Sequence, residues 1–158
     1  MDDNDIRFMR RAIELAQNGV DTNLGGPFGC VIAKNGDIIG EGCNQVTSSN
    51  DPTAHAEIVA IRAACRTLNS FQLNGCFVYT SCEPCPMCLG AIYWARPAAI
   101  FFAGTRDDAA AAGFDDELFY DEIEKPNEQR QLSMKNLLRE EALNVFQRWN
   151  DKPDKTAY

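Results

Sequence analysis

The sequence predicts an α/β fold built on a mixed sheet, and three observations carry that expectation. Phe28-Gly29-Cys30-Val31-Ile32-Ala33 and Ile38-Ile39-Gly40-Glu41-Gly42-Cys43 flank Asn35-Gly36, the two-residue hairpin signal that joins antiparallel strands. A strand at Cys76-Phe77-Val78-Tyr79-Thr80, a helix ending at Ala95 and a strand at Ala99-Ile100-Phe101-Phe102-Ala103 then alternate, which calls for parallel pairing with helices on the sheet faces. The chain has 158 residues, 45% of them hydrophobic, enough for one core that buries roughly 70% of the unfolded surface without disulfide staples.

Taken in order, Ile6, Met9, Ala12, Ile13 and Ala16 recur at helical spacing, and Asn18-Gly19 supplies a stop. Gly25-Gly26-Pro27 breaks the chain before the hairpin. Residues 46–53 are polar, and Asp51-Pro52 is expected to open a helix running to about Leu68, because proline is tolerated where a helix has no use for an N–H. The Cys-Pro cluster after Thr80 leads into the helix that ends at Ala95. Residues 107–113 form a short helix or turn, and Gly113-Phe114-Asp115-Asp116 interrupts it before Leu118-Phe119-Tyr120. Met134, Leu137, Leu138, Ala142, Val145, Phe146 and Trp149 make a last apolar stripe with Ser133 as its N-cap. Residues 1–150 read as one domain and 151–158 as a polar tail that ends on Tyr158.

Charge and composition narrow the partners. The net charge is −8, with 13 acidic and 7 basic residues in 107–158 against 10 and 8 in 1–106. Nucleic-acid backbones are held by Lys and Arg, so this balance disfavours a nucleic-acid partner and suits a small uncharged substrate. No apolar run approaches the ~20 residues of a membrane span. The opening Met1-Asp2-Asp3-Asn4-Asp5 is acidic where a secretory leader is basic, which points to the cytoplasm. Seven cysteines are an odd number, in keeping with reduced thiols. Cys30, Cys43, Cys65 and Cys76 stand singly in apolar surroundings, as buried thiols do. Only Cys82, Cys85 and Cys88 cluster.

Cys85 and Cys88 in Pro84-Cys85-Pro86-Met87-Cys88 form a CxxC pair, and His55, the one histidine, stands beside Glu57. Zinc takes sulfur and imidazole nitrogen, and three protein ligands leave a fourth position for water, the pattern of a catalytic site. Positions i and i+2 lie about 200° apart around a helix. His55 and Glu57 can therefore converge only beyond a helix N-terminus, and the prolines around Cys85 place it at a helix start too. Positive helix ends favour thiolate at both cysteines. A carboxylate beside acidified water serves as its proton acceptor and donor, which is the role open to Glu57. The bland alternative makes His55 a core residue and the cysteines a structural knuckle, with Cys82 either its fourth ligand or a thiol buried next to the site.

HxE followed by PCxxC is the signature of zinc-dependent nucleobase deaminases. Together with Gly25-Gly26-Pro27-Phe28-Gly29, Asn50 to Glu57, Ser81 to Trp94, Gly113 to Asp116 and Tyr158, it resembles the bacterial guanine deaminases, a family with the cytidine-deaminase-like fold. The resemblance implies a three-layer α/β/α sandwich with a mixed five-stranded sheet, and hydrolysis of guanine to xanthine and ammonia. It implies Zn2+ on His55, Cys85 and Cys88, with Glu57 as catalytic proton shuttle. Asn44 and Asp116 would bind a purine base, with Phe28, Trp94, Phe114 and Ala56 around it. It further implies a homodimer with an exchanged C-terminal segment in which Tyr158 caps the partner's site. Each assignment has a plain competitor: Asn44 ends a strand, Asp116 caps a helix, Trp94 is core, Tyr158 is a loose terminus. Guanosine, cytosine and transfer-RNA adenosine are alternative substrates, and a non-catalytic zinc-stabilised binding protein is the alternative of another class.

Overall fold

In the computed structural model, which describes residues 2–158, the chain opens with α1 (Asp3–Asp21), capped by Asp2 in a reciprocal capping box with Asp5. Its buried positions are Phe8, Ala12, Ala16 and Gly19; Ala12 and Ala16 of the expected stripe are buried and Met9 packs against the core, but Ile6 and Ile13 are exposed and Phe8 and Gly19 take their place. Gly19 continues the helix instead of stopping it. The position is tight, for a Cβ there would sit 3.4 Å from the Cβ of Cys43.

Strands β1 (Gly29–Lys34) and β2 (Asp37–Cys43) form the expected hairpin, with Asn35 and Gly36 at φ of 53° and 88°, as a primed turn demands. A short helix, α2 (Val46–Ser49), precedes α3 (Ala56–Leu68). Strand β3 (Phe77–Cys82), α4 (Pro86–Ala95) and β4 (Ala99–Gly104) follow, then α5 (Arg106–Ala111). β1 pairs antiparallel with β2 and β3, and β3 pairs parallel with β4, giving the order β2-β1-β3-β4. The sheet is mixed, but the five strands implied by the resemblance are corrected to four among the described residues. After β4 the chain enters the capping box of α5 at once, Thr105 accepting from the Asp108 N–H, and it pairs with no strand thereafter.

Alternate side chains of β1 feed two cores. Cys30 and Ile32 join Val78 and the Ala56, Ala60 and Ala64 face of α3, whereas Val31 and Ala33 join Tyr79 and the Phe8 and Ala12 face of α1. The two helices thus lie on opposite faces of the sheet. They lie close: a Cβ on Gly42 would be 2.4 Å from the Ala56 carbonyl oxygen, and one on Gly29 would be 2.1 Å from that of Ala12. Side-chain-free strand positions let the helix backbones rest on the sheet.

Tyr79 stacks on Phe101 with ring centres 5.0 Å apart, and its hydroxyl donates to Asp5 Oδ1 at 2.7 Å. That bond is the main cause of the lowered Asp5 pKa, while burial, then Asp5, raises that of Tyr79. Asp5 therefore contributes stability above its unfolded value near 4, lost as pH falls through the lower folded value; Tyr79 contributes below about pH 10, lost as pH rises through the raised value. Both are in force at neutral pH. Tyr79→Phe is expected to lower the thermal midpoint at pH 7 and to matter progressively less below pH 4. An equal loss at pH 7 and pH 3 would assign the effect to packing.

Contacts divide the chain after Asp116, and Glu117–Tyr158 form a second unit. It contains α6 (Glu117–Glu124), a 3-10 turn at Asn127–Gln129 and α7 (Arg139–Asp151). The Arg130 guanidinium donates to the carbonyls of Lys125 and Ile123, and Glu122 accepts from the Gln131 N–H at 2.7 Å, so the chain is tied back onto the end of α6. The last helix consequently starts later than expected. Ser133 does not cap it; Leu138 holds the N-cap position without a capping side-chain bond, at a left-handed φ of 56° that cannot extend a helix backwards. Among the described residues no helix is long and apolar enough to cross a membrane.

Candidate active site

Asp51 and Pro52 do not open α3. Asp51 Oδ1 accepts from both the N–H (2.8 Å) and the hydroxyl (2.7 Å) of Thr53, and Ala54 N–H donates to the Asp51 carbonyl at 3.0 Å, which closes a turn around the proline. The chain then runs extended through His55 (φ −67°, ψ 156°), the N-cap of α3. Cys85 is likewise extended (φ −64°, ψ 166°) and is the N-cap of α4, with Pro86 at its first position. Neither side chain caps its own helix. They turn toward each other, and Cys88, one residue short of a turn further on, joins them.

His55 Nδ1 lies 3.6 Å from Cys85 Sγ and 3.5 Å from Cys88 Sγ. A tetrahedral zinc with bonds of about 2.3 Å to sulfur and about 2.05 Å to nitrogen has N···S edges of about 3.5 Å, so the three donors are already spaced for the ion. Among the described residues they are the group that could hold a metal, and they use three of its four positions. Cys82 is not a fourth ligand: its thiol donates to the Thr105 carbonyl at 3.5 Å, and burial raises its pKa.

Proton affinities follow from this geometry. The Cys88 thiol donates to Cys85 and, against burial but together with His55, holds the Cys85 pKa down at about 4. Cys88, keeping the shared proton beside Cys85 and buried, is pushed up, and His55 is raised by its bond to Cys85. Glu57, at the second position of α3, is 6% exposed. Burial is the main cause of its raised pKa and the charge of Cys85 adds to it, while its own backbone N–H, a bond with Cys88 and the charge of His55 oppose the rise. A carboxyl in that setting can carry a proton at moderate acidity and release it again.

Asn44 is buried just after β2, next to Gln45, whose N–H donates to the Ala54 carbonyl one residue before His55, and its Oδ1 accepts from the N–H groups of Gly26 and Val46, both at 3.2 Å. Backbone N–H groups only donate, so the oxygen must face them and the Nδ2 donors are left for another acceptor. Gly25 passes so near that a Cβ on it would be 2.3 Å from this oxygen. Asn44 N–H donates to the Phe28 carbonyl at 3.0 Å, and the Phe28 ring meets Phe114 edge-on, with centres 4.9 Å apart. Asp116 is half-buried; its pKa is raised by burial and then by Cys85, and Arg106 opposes the rise, which puts it in the electrostatic field of the cluster. Ala56 is fully buried between His55 and Glu57.

Trp94 is 64% exposed near the far end of α4, six residues and so about 9 Å along the axis from Cys88; a core role does not suit that position. Tyr158 is exposed and belongs to the second unit. By contrast, Glu83, between Cys82 and Pro84, belongs to no motif in the sequence, yet its Oε2 accepts from the Arg106 N–H at 3.1 Å. No local spacing signals a partner 23 residues away.

Residues 2–104 match the family described as the cytidine and deoxycytidylate deaminase zinc-binding region. The chain is 56% identical to guanine deaminase of Bacillus subtilis (strain 168) over 155 residues, covering 98% of this chain and 99% of that protein. The X-ray structure of guanine deaminase from Bacillus subtilis superposes with a TM-score of 0.95 at 54% identity, covering 100% of this chain and 99% of that one. The tRNA-specific adenosine deaminase of Aquifex aeolicus (strain VF5) is 46% identical over 77 residues, 49% of this chain and 51% of that protein.

Proposed function

Because the chain belongs to the cytidine and deoxycytidylate deaminase zinc-binding family, we propose that it hydrolyses guanine to xanthine and ammonia, with zinc held by His55, Cys85 and Cys88. The observation that carries the chemistry is Glu57, a buried carboxyl of raised proton affinity set against a three-donor metal cluster. Likeness to guanine deaminase runs over nearly the whole chain, beyond the half shared with the tRNA-specific enzyme, and supports the choice of base.

Zinc bound there supplies a Lewis acid that makes water acidic enough to ionise near neutral pH. Glu57 takes a proton from the attacking water and delivers it to the ring nitrogen of the C2=N bond. It then passes the second proton to the C2 amino group, which leaves as ammonia. The Asn44 amide presents N–H donors to a ring acceptor, and Asp116 accepts from ring N–H groups, a pairing that guanine offers and adenine's ring edge does not. Phe28 and Phe114 supply an aromatic corner for the base.

The same reading extends to architecture and setting. Helices α1 and α3 on opposite sheet faces support a three-layer α/β/α sandwich. Residues 1–150 then form one zinc deaminase domain, and 151–158 a tail exchanged within a homodimer so that Tyr158 closes the partner's site. Exposed Leu132, Leu137, Val145 and Phe146 support a covering partner. The enzyme would serve purine breakdown in the cytoplasm.

A panel of guanine, guanosine, adenine, cytosine and cytidine, scored by ammonia release, is expected to single out guanine. Turnover of another base in its place would overturn the assignment. In the same assay, removal of residues 156–158 is expected to impair guanine turnover far more than zinc content, and unchanged kinetics would dismiss the tail as a lid.

A further inference from the structure

Helix α5 joins the two halves of the site. At its start, β3 and β4 run side by side to their ends, Cys82 opposite Gly104, and the Glu83 N–H donates to the Gly104 carbonyl at 2.8 Å. The Cys82 thiol donates to the Thr105 carbonyl, and Glu83 Oε2 accepts the Arg106 N–H at 3.1 Å, satisfying one of the donors a helix leaves open at its first turn. Two residues after Glu83 the chain reaches Cys85. The first turn of α5 is thus fastened to the same short segment that presents the metal ligands.

The far end is equally defined. Gly113 N–H donates to the Ala110 carbonyl and Phe114 N–H to that of Ala109, both at 2.9 Å, with Gly113 at a φ of 91°. This is the double closure of a Schellman cap, which sets the direction in which the chain leaves the helix. It leaves toward Phe114, whose ring meets Phe28, and Asp116, which feels the charges of Cys85 and Arg106. With a capping box at one end and a Schellman cap at the other, α5 has no loose turn between the metal loop and the base-binding residues.

We infer that Glu83 is a positioning residue: through its bond to the first turn of α5 it fixes where Phe114 and Asp116 stand relative to the metal cluster. It touches neither metal nor base. Its effect therefore falls on how well the base is held and not on whether zinc binds or protons move. The kinetic part of this inference rests on the guanine deaminase reading; the mechanical part does not.

The test compares Glu83→Ala with Glu83→Gln, which keeps an acceptor oxygen, in the zinc-loaded full chain. For Glu83→Ala the expectation is unchanged zinc per chain, a KM for guanine raised roughly tenfold and a kcat within about twofold, with Glu83→Gln restoring KM to within about threefold of the parent. Amide hydrogen exchange at residues 113–116 should quicken in Glu83→Ala while that at residues 85–89 does not. A KM unchanged in both variants overturns the inference, as does zinc loss or a fall in kcat alone, or a glutamine variant that behaves like alanine. If the parent chain leaves guanine untouched, the substrate reading fails, and the exchange pattern still decides for or against the strut.

Discussion

Glu57→Ala is expected to keep one zinc per chain and to lower ammonia release from guanine by roughly 10²–10⁴-fold, the usual contribution of a positioned acid or base. The three donors spaced for zinc do not include Glu57, so the metal should stay. What goes is a carboxyl whose proton affinity burial has raised, and with it, on the proposed mechanism, the group that takes a proton from water and hands it to the departing amine. Glu57→Gln, which fills the same space, should lose as much and so excludes a cavity effect. Zinc stoichiometry and ammonia release, measured on the same preparation, decide the matter. Retained turnover would sink the proton shuttle, and loss of zinc would make Glu57 a support for the metal site. A zinc-stabilised binding protein has no need of a buried carboxyl there, and this variant separates that alternative from an enzyme.

Gly42→Ala should do comparable harm without touching metal or substrate. The added Cβ would stand 2.4 Å from the Ala56 carbonyl oxygen and 2.7 Å from the Ala60 nitrogen. Both are backbone atoms of α3 and cannot swing aside, so helix or strand must give by about 1 Å to restore ordinary contact. Such overpacking destabilises by about 1–3 kcal/mol. Ala56 stands between His55 and Glu57, so the displacement falls on the ligand and the proton shuttle together, and a shift of this size costs roughly 10²-fold in rate. The expected result is a lower thermal midpoint with kcat/KM down by roughly that factor. Gly90→Ala is the control, since a Cβ there meets nothing within 4 Å and should leave zinc and rate as they were. An unchanged kcat/KM in Gly42→Ala would show that α3 tolerates the push.

Much of this architecture was legible in one sequence where local chemistry decides. Asn35-Gly36 tolerates the positive φ of a primed turn, and the hairpin is there. The spacing of His55 and Glu57 allowed convergence only at a helix start, and His55 and Cys85 are both N-caps. Reading failed where a side chain reaches across the fold or competes with a local signal. Pro52 looked like a helix start, but Asp51 and Thr53 turn the chain first and delay α3 to Ala56. Ser133 looked like a cap, but Arg130 and Gln131 tie the preceding segment to α6. The buried face of α1 follows Phe8 and Gly19, chosen by what the sheet can accept and not by the positions of isoleucines. Glu83 finds the Arg106 N–H 23 residues away, and the oxygen of Asn44, besides its local bond from Val46, finds Gly26 18 residues away, both beyond any pattern of spacing. The five-stranded expectation came from resemblance alone; the residues themselves announced four.

The two helix starts at the metal cluster carry a hidden expense. Asp, Asn, Ser or Thr at an N-cap stabilises a helix by about 1 kcal/mol over a residue that makes no such bond. Histidine and cysteine occupy both positions here, and neither side chain caps its helix. Roughly 2 kcal/mol of intrinsic helix stability is forgone at the one place where the chain must be most exact. The ion makes good that deficit, because binding the folded state alone adds to folding stability. Zinc in such a molecule belongs to the folding of α3 and α4 as much as to catalysis, and the gap between the thermal midpoints of the loaded and metal-free chain is its measure.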